Sequence, residues 1–259
     1  MTVWISPAIL EWAPFIESYR TRPFSEARRP YEHWQHADVL LAGASSEFHR
    51  IDIVTTLKRA VELRLKPLNE IYAFRRIPLP AMPEDRLTQL SYLGIIRPLL
   101  IARLIDLRNR IEHQDAEPPT TAHCAELTDV VWYFLRSTET LLRQVIIDAG
   151  LDASGGRHDE HHHIRLRWDP PKNLGIEFQG WLPHTWVSES VKPHFLAVEP
   201  EELSRAVDHF TGPFTEDDRT LREALTRHRR RDPKDVWLRG KLISASPGAE
   251  RVYHVLLGL

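Results

Sequence analysis

Long apolar runs are missing from this 259-residue chain: none approaches the roughly 20 residues that a bilayer-crossing helix needs. The first residues, MTVWISPAIL, lack the basic stretch that begins a secretory signal. Cysteine is nearly absent as well. The single Cys124 excludes an internal disulfide and fits a reducing compartment, so a cytoplasmic location and no membrane association are expected. No excess of one charge is present. The 34 Lys+Arg and 36 Asp+Glu leave a formal net charge of −2, so any basic surface must be local. No Gly-rich loop of the P-loop or dinucleotide type occurs, and no cofactor is implied. Lysine is scarce beside arginine, for which a GC-rich genome is the plain explanation.

What is present is the composition of a soluble globular protein, 42% hydrophobic and 27% charged. The pattern changes near DASGGRHDEHHH (Asp152–His163). Apolar periodicity is helical before it and strand-like after it. The expected fold class is α+β: an all-α helical bundle followed by a small, mostly-β domain. Residues 1–44 read as a helical or irregular segment packing on the bundle. Residues 45–150 form the helical domain, 151–163 a linker and 164–259 a β-rich domain with a helical insertion.

In the first segment, Ser6-Pro7 resembles a helix start, and Pro14, Pro23 and Pro30 should keep helices short. Trp4, Trp12 and Trp34 suggest an apolar face that docks on the next unit. A long helix over Ser45–Tyr72 buries Phe48, Ile51, Val54, Leu57, Val61, Leu65 and Leu68, with Pro67 as a kink or break. A second covers Arg86–His113. A third covers Thr121–Ala149, with Val145 facing inward and Gly150 as its C-terminal cap. In the β part, HIRLRW places Ile164, Leu166 and Trp168 on one face and Arg165 and Arg167 on the other. LGIEFQGWL, HFLAVE, VWLRGKLIS and RVYHVLLGL are further strands. EPEELSRAVDHF and EDDRTLREALTRHRR read as helical between the third and fourth. Three strands, a helix and two strands is the order of an OB-like barrel.

The segment LIDLRNRIEH (Leu104–His113) combines an apolar stripe, Leu104, Ile105, Leu107 and Ile111, with Arg108, Asn109 and His113. Arg followed by His at a similar interval recurs at Arg28/His33, Arg157/His162 and Arg222/His228. Only at Arg108 does Asn follow, at the end of a core helix, with a short polar loop and another core helix beyond. In these features residues 45–150 resemble a HEPN domain, an all-helical family with Arg, four to six residues, then His. The resemblance implies a metal-independent endoribonuclease with Arg108 and His113 as the catalytic pair and Asn109 in support. It also implies RNA as substrate, a homodimer in which two copies of the motif line one cleft, a toxin or phage-defence role, and a regulatory or neutralising protein partner. The alternative is a non-catalytic HEPN dimerisation scaffold carrying a β-type domain that binds RNA or a partner.

The residue types suit that chemistry. A histidine titrating near neutrality can take a proton from a 2′-hydroxyl or return one to a leaving 5′-oxygen. An arginine stays charged and offers forked donors to a phosphate gaining charge. Five residues along a helix turn about 140°. Arg108 and His113 therefore sit on different faces, while Asn109 and His113 share one.

Other candidates are weaker. His158–His163 holds metal-ligand types, but consecutive histidines beside SGG seldom make a tetrahedral site, so a polar linker and no metal are expected. Cys124, at a helix beginning, reads as a small core residue. Asp217-Asp218 fit a helix start, and RHRRR (Arg227–Arg231) an exposed helix end. Arg165 and Arg167 share one strand face, and so do Trp237, Arg239 and Lys241. Basic groups interleaved with an aromatic are the surface that single-stranded nucleic acid uses, so these five are the candidate RNA-binding residues. The plainer alternative is the solvated outer face of a half-buried sheet.

Overall fold

The computed structural model describes the chain except for residues 23–24, 98, 115–116, 154–161, 207–231, 233 and 259, with positions 25–27, 100 and 112–114 described as backbone only. Contacts divide it into two units, one β-rich (residues 1–19, 78–81 and 146–258) and one helical (20–77 and 82–145). The α+β class holds. This division differs from the one read in the sequence, because residues 1–19 contribute strands to the sheet instead of packing as helices on the bundle.

The β unit is built on one eight-stranded antiparallel sheet. Its strands are β1 (Val3–Ile5), β2 (Ala13–Thr21), β3 (Gln144–Asp152), β4 (His163–Asp169), β5 (Asn173–Leu182), β6 (Val187–Ser188), β7 (Leu196–Arg205) and β8 (Val236–Leu242). They lie in the order β2-β3-β4-β5-β8-β7-β1-β6. Five strands in OB-like order were expected, of which four are β4, β5, β7 and β8; β1, β2, β3 and β6 were not expected. Ser6 does cap a helical turn, but it is a short 3-10 turn, Pro7–Glu11.

Alternation in β4 is as the sequence implied: Ile164, Leu166 and Trp168 are buried, and Arg165 and Arg167 are exposed. The inner face continues through Ile176, Phe178, Leu182, Leu238 and Leu242. RVYHVLLGL is not a strand. Its residues 251–257 lie in the helix Ala249–Leu257, and Val252, Tyr253, Leu256 and Leu257 are buried at helical spacing. The Tyr253 ring meets Trp168 edge-on at 5.4 Å, and its hydroxyl donates to Leu174 O at 3.0 Å. EPEELSR is likewise part of strand β7, with a register shift between Pro200 and Glu202 opposite β8, not helix. EDDRTLREALTRHRR, Asp217-Asp218 and Arg227–Arg231 lie outside the described residues.

The helical unit holds α1 (Ser25–Ala42), α2 (Glu47–Tyr72), α3 (Arg86–Tyr92), α4 (Leu99–Gln114), α5 (Thr121–Ser137) and α6 (Glu139–Arg143). Pro30 lies in the first turns of an 18-residue helix and does not shorten it. Ser46 caps α2, accepting from the His49 N–H at 3.2 Å, and α2 continues through Pro67. Val54, Leu57, Val61, Leu65 and Leu68 are buried as expected, but Phe48 is 76% exposed.

The expected second helix is broken in two. Gly94, at φ 74°, ends α3, and the Ile95 N–H closes on Leu90 O at 2.9 Å. The expected third helix ends at α6. The β-branched run Val145-Ile146-Ile147 follows in β3, and Gly150 lies opposite Arg165 instead of capping a helix. A Cβ at Gly150 would collide with the Phe15 ring, so the glycine admits that ring against the sheet. Among the described residues no helix is long and apolar enough to cross a membrane.

Candidate functional site

Arg108 and Asn109 lie in the last two turns of α4, and position 113 lies in its final turn. Ile101 and Leu104 are buried, at 3% and 0% exposure, and anchor this helix in the unit. Arg108 falls four residues beyond Leu104 and so continues that stripe. It is half-buried, and its Nε is shielded from solvent. Its Nη1 donates to Asn109 Oδ1 at 3.3 Å, and Asn109 is exposed. Arg108 is therefore an arginine whose stem lies on the apolar face and whose head emerges beside an amide, an arrangement that suits long cationic side chains.

Around the axis, position 113 is about 140° from Arg108 and about 40° from Asn109. It lies closer to the other flank of α4. There Arg103, Asp106, Leu107 and Arg110 line a groove of ≈ 600 Å³ with Pro119, Thr120 and His123 at the start of α5. Arg110 pairs with Asp106 at 3.1 Å, and His123 lies 3.7 Å from Glu126. Sequence reading passed over Arg103, Arg110 and His123. The signal was present in part, since residues 103 and 110 share a helix face at a spacing of seven. His123 joins them only through the packing of α5 against α4.

The five sheet residues come together. In register, Arg165 faces Gln179, which faces Arg239; Arg167 faces Glu177, which faces Lys241; and Trp181 faces Trp237. All point away from the buried face. Arg165, Arg167, Arg239 and Lys241 line one ≈ 300 Å³ hollow with Glu177 and Glu201. The basic character is cancelled, however. Arg165 lies 2.8 Å from Glu17 and 3.3 Å from Asp148, and Arg167 lies 3.9 Å from Asp148. Lys241 lies 3.1 Å from Glu201, and Arg239 lies 3.8 Å from it. A face whose cations are matched by carboxylates offers little to draw in a polyanion. Trp237 is half-buried, with its ring 5.4 Å from that of Trp181.

Cys124 is buried in the first turn of α5, and burial pushes its thiol up from the ordinary value, which suits a core residue. Of the histidine cluster, residues 158–161 lie outside the described residues. Among those described, no group of three or more His, Cys, Asp or Glu is placed to hold a metal ion.

Comparison of the chain with protein-family models, with curated proteins and with solved structures finds no match.

Proposed function

We propose that the helical unit is a HEPN-type, metal-independent endoribonuclease acting as a homodimer. The observation that carries the reading is the placement of Arg108 and Asn109 in the closing turns of a core helix, whose other flank forms a groove holding Arg103, Arg110 and His123. RNA would follow that groove. His113 takes the proton from a 2′-hydroxyl, whose oxygen attacks the adjacent phosphorus. The P–O5′ bond breaks, and the 5′-oxygen leaves with the proton that the His113 imidazolium returns. Arg108 steadies the charge gathering on the non-bridging oxygens. The products are a 2′,3′-cyclic phosphate and a 5′-hydroxyl. DNA is inert because it lacks the attacking group.

Dimerisation follows from helix geometry. Residues about 140° apart on one helix do not face one phosphate, so the guanidinium and the imidazole at a given scissile bond come from different copies. The charge-matched sheet face takes no main part in holding RNA under this reading. A toxin or phage-defence role and a neutralising partner follow from the family resemblance alone.

The test uses wild type, Arg108→Ala and His113→Ala incubated with total RNA in EDTA, with end-group analysis of the fragments. Cleavage by wild type that disappears in both variants supports the proposal. Activity is also expected to return when the two inactive variants are mixed, because one hybrid cleft then holds an intact pair. Equal, negligible cutting by all three favours the non-catalytic scaffold.

A further inference from the structure

A cluster of cationic side chains that the α4 motif does not use lies in the β unit, at the end of the sheet where β7 and β8 meet. A pocket of ≈ 530 Å³ opens there, within the size range of small-molecule sites. His184, Arg205 and Lys234 line it, with Glu189 as the one carboxylate among the described lining residues. Val187, Leu203 and Val236 supply an apolar wall. Arg205 and Lys234 differ from the cations of the outer sheet face. Among the described residues neither has a carboxylate within ion-pair distance, whereas Arg165, Arg167, Arg239 and Lys241 all do.

The pocket is held in shape by Asp235, only 2% exposed. Its Oδ2 lies 2.8 Å from His162 Nε2, and its Oδ1 accepts from the His184 N–H at 3.2 Å. Its carbonyl accepts from the Ala206 N–H at 2.7 Å, which ties the end of β7 to the loop before β8. The neighbouring Asp232 accepts from the Lys234 N–H at 2.9 Å, fixing the backbone that carries that lysine. The His184 Nδ1 lies 3.7 Å from Asp235 Oδ1 and 3.8 Å from Asp232 Oδ2, so both carboxylates face this ring. Through its carboxylate and its backbone carbonyl, Asp235 thus draws together the residue before β4, the turn before β6, the end of β7 and the loop into β8. Holding binding groups in place before a ligand arrives lowers the entropic cost of capture.

We infer that this pocket binds a phosphate monoester on an organic body of mononucleotide size, with the phosphate on Arg205 and Lys234 and the body on Val187, Leu203 and Val236. A guanidinium and an ammonium without internal anions are the usual partners of such a group. Glu189 is placed to accept from a ligand hydroxyl or amino group. The site is separate from the α4 motif and does not depend on the nuclease reading.

The experiment titrates the full chain with 5′-AMP, 5′-UMP and ribose 5-phosphate, and with adenosine as the phosphate-free control, by calorimetry and thermal shift. At least one phosphate ester is expected to bind with a Kd of about 1 mM or tighter and to raise Tm, while adenosine does neither. Arg205→Ala/Lys234→Ala is expected to weaken binding by about tenfold or more. Arg239→Ala/Lys241→Ala, in already neutralised positions, and His113→Ala keep wild-type affinity. Failure of all three esters to bind overturns the inference. So does equal binding of adenosine, or undiminished ester binding by the Arg205/Lys234 variant with wild-type circular dichroism. Because the readout is binding and not cleavage, its result is independent of the ribonuclease test.

Discussion

The core of the helical unit around Arg64 and the outer sheet face of the β unit treat cations differently. In the former, Arg64 is wholly buried, its guanidinium 5.3 Å from the centre of the Tyr31 ring. The Tyr31 hydroxyl donates to Glu139 at 2.8 Å, and Arg136 and Arg143 reach the same carboxylate at 3.1 and 3.4 Å. In the latter, Arg165, Arg167, Arg239 and Lys241 are about half exposed and paired across strands. The same two chemical groups therefore have unlike consequences. A buried cation depends on its neighbours, because an uncompensated charge away from water is costly. An exposed pair gains little, since water and salt already screen it.

The largest effect that would sharpen this contrast is catalytic. Arg108→Ala and His113→Ala are each expected to lower RNA cleavage by about 10²–10⁴-fold, the usual worth of a positioned acid–base group. Arg165→Ala/Arg167→Ala should stay within about twofold of wild type, as expected of cations already neutralised. Comparable losses in the sheet variant, read from fragment yield over time, would break the distinction.

Next comes stability. Arg64→Ala removes a wholly buried side chain packed over Tyr31, and the cavity left should destabilise the protein by about 2–5 kcal/mol in urea unfolding. Burial holds the Arg64 pKa below its ordinary value, yet nearby Glu139 and Tyr31 favour the charged form. A cost under about 1 kcal/mol would mean that the core closes over the lost side chain. Arg165→Ala, by contrast, should cost less than about 1 kcal/mol, and high salt should shrink that cost further.

The smallest effect concerns pH. Burial holds the His254 pKa below its ordinary value, with Glu250 opposing and Arg251 reinforcing the shift. A depressed histidine pKa favours the neutral ring in the fold. Its contribution is complete above the unfolded value near ~6.5 and is lost as pH falls through the folded value. His33 shifts in the same direction, chiefly through burial, with Arg59 and Arg29 adding to it. His254→Phe should therefore flatten the fall in urea midpoint between neutral and mildly acidic pH. An unchanged slope would show that other groups set it.

Much of the fold was legible where one period dominated. The face of α2 from Val54 to Leu68 and the alternation of β4 both follow from side-chain spacing on a single element. Reading failed where two periods coincided. Val145-Ile146-Ile147 continues a helical stripe and also makes a strand, and pairing with β4 decides between them. RVYHVLLGL failed in reverse, since its apolar pairs fit a helix as well as a strand. At the candidate site, Arg108, Asn109 and position 113 were found because they lie within one helix. The groove on the other flank of α4 showed only the spacing of residues 103 and 110, and the pocket around Arg205 and Lys234 collects residues from separate segments that no local pattern joins.

Sequence alone determined the mixed class, the core stripes of α2 and β4, and the lack of any long apolar helix among the described residues, because each depends on neighbours along the chain. Tertiary structure alone decided that residues 1–19 complete a sheet and which cations meet a carboxylate. Charge neutralisation is a matter of a few ångströms between residues far apart in the chain, and only strand register and helix packing set those distances.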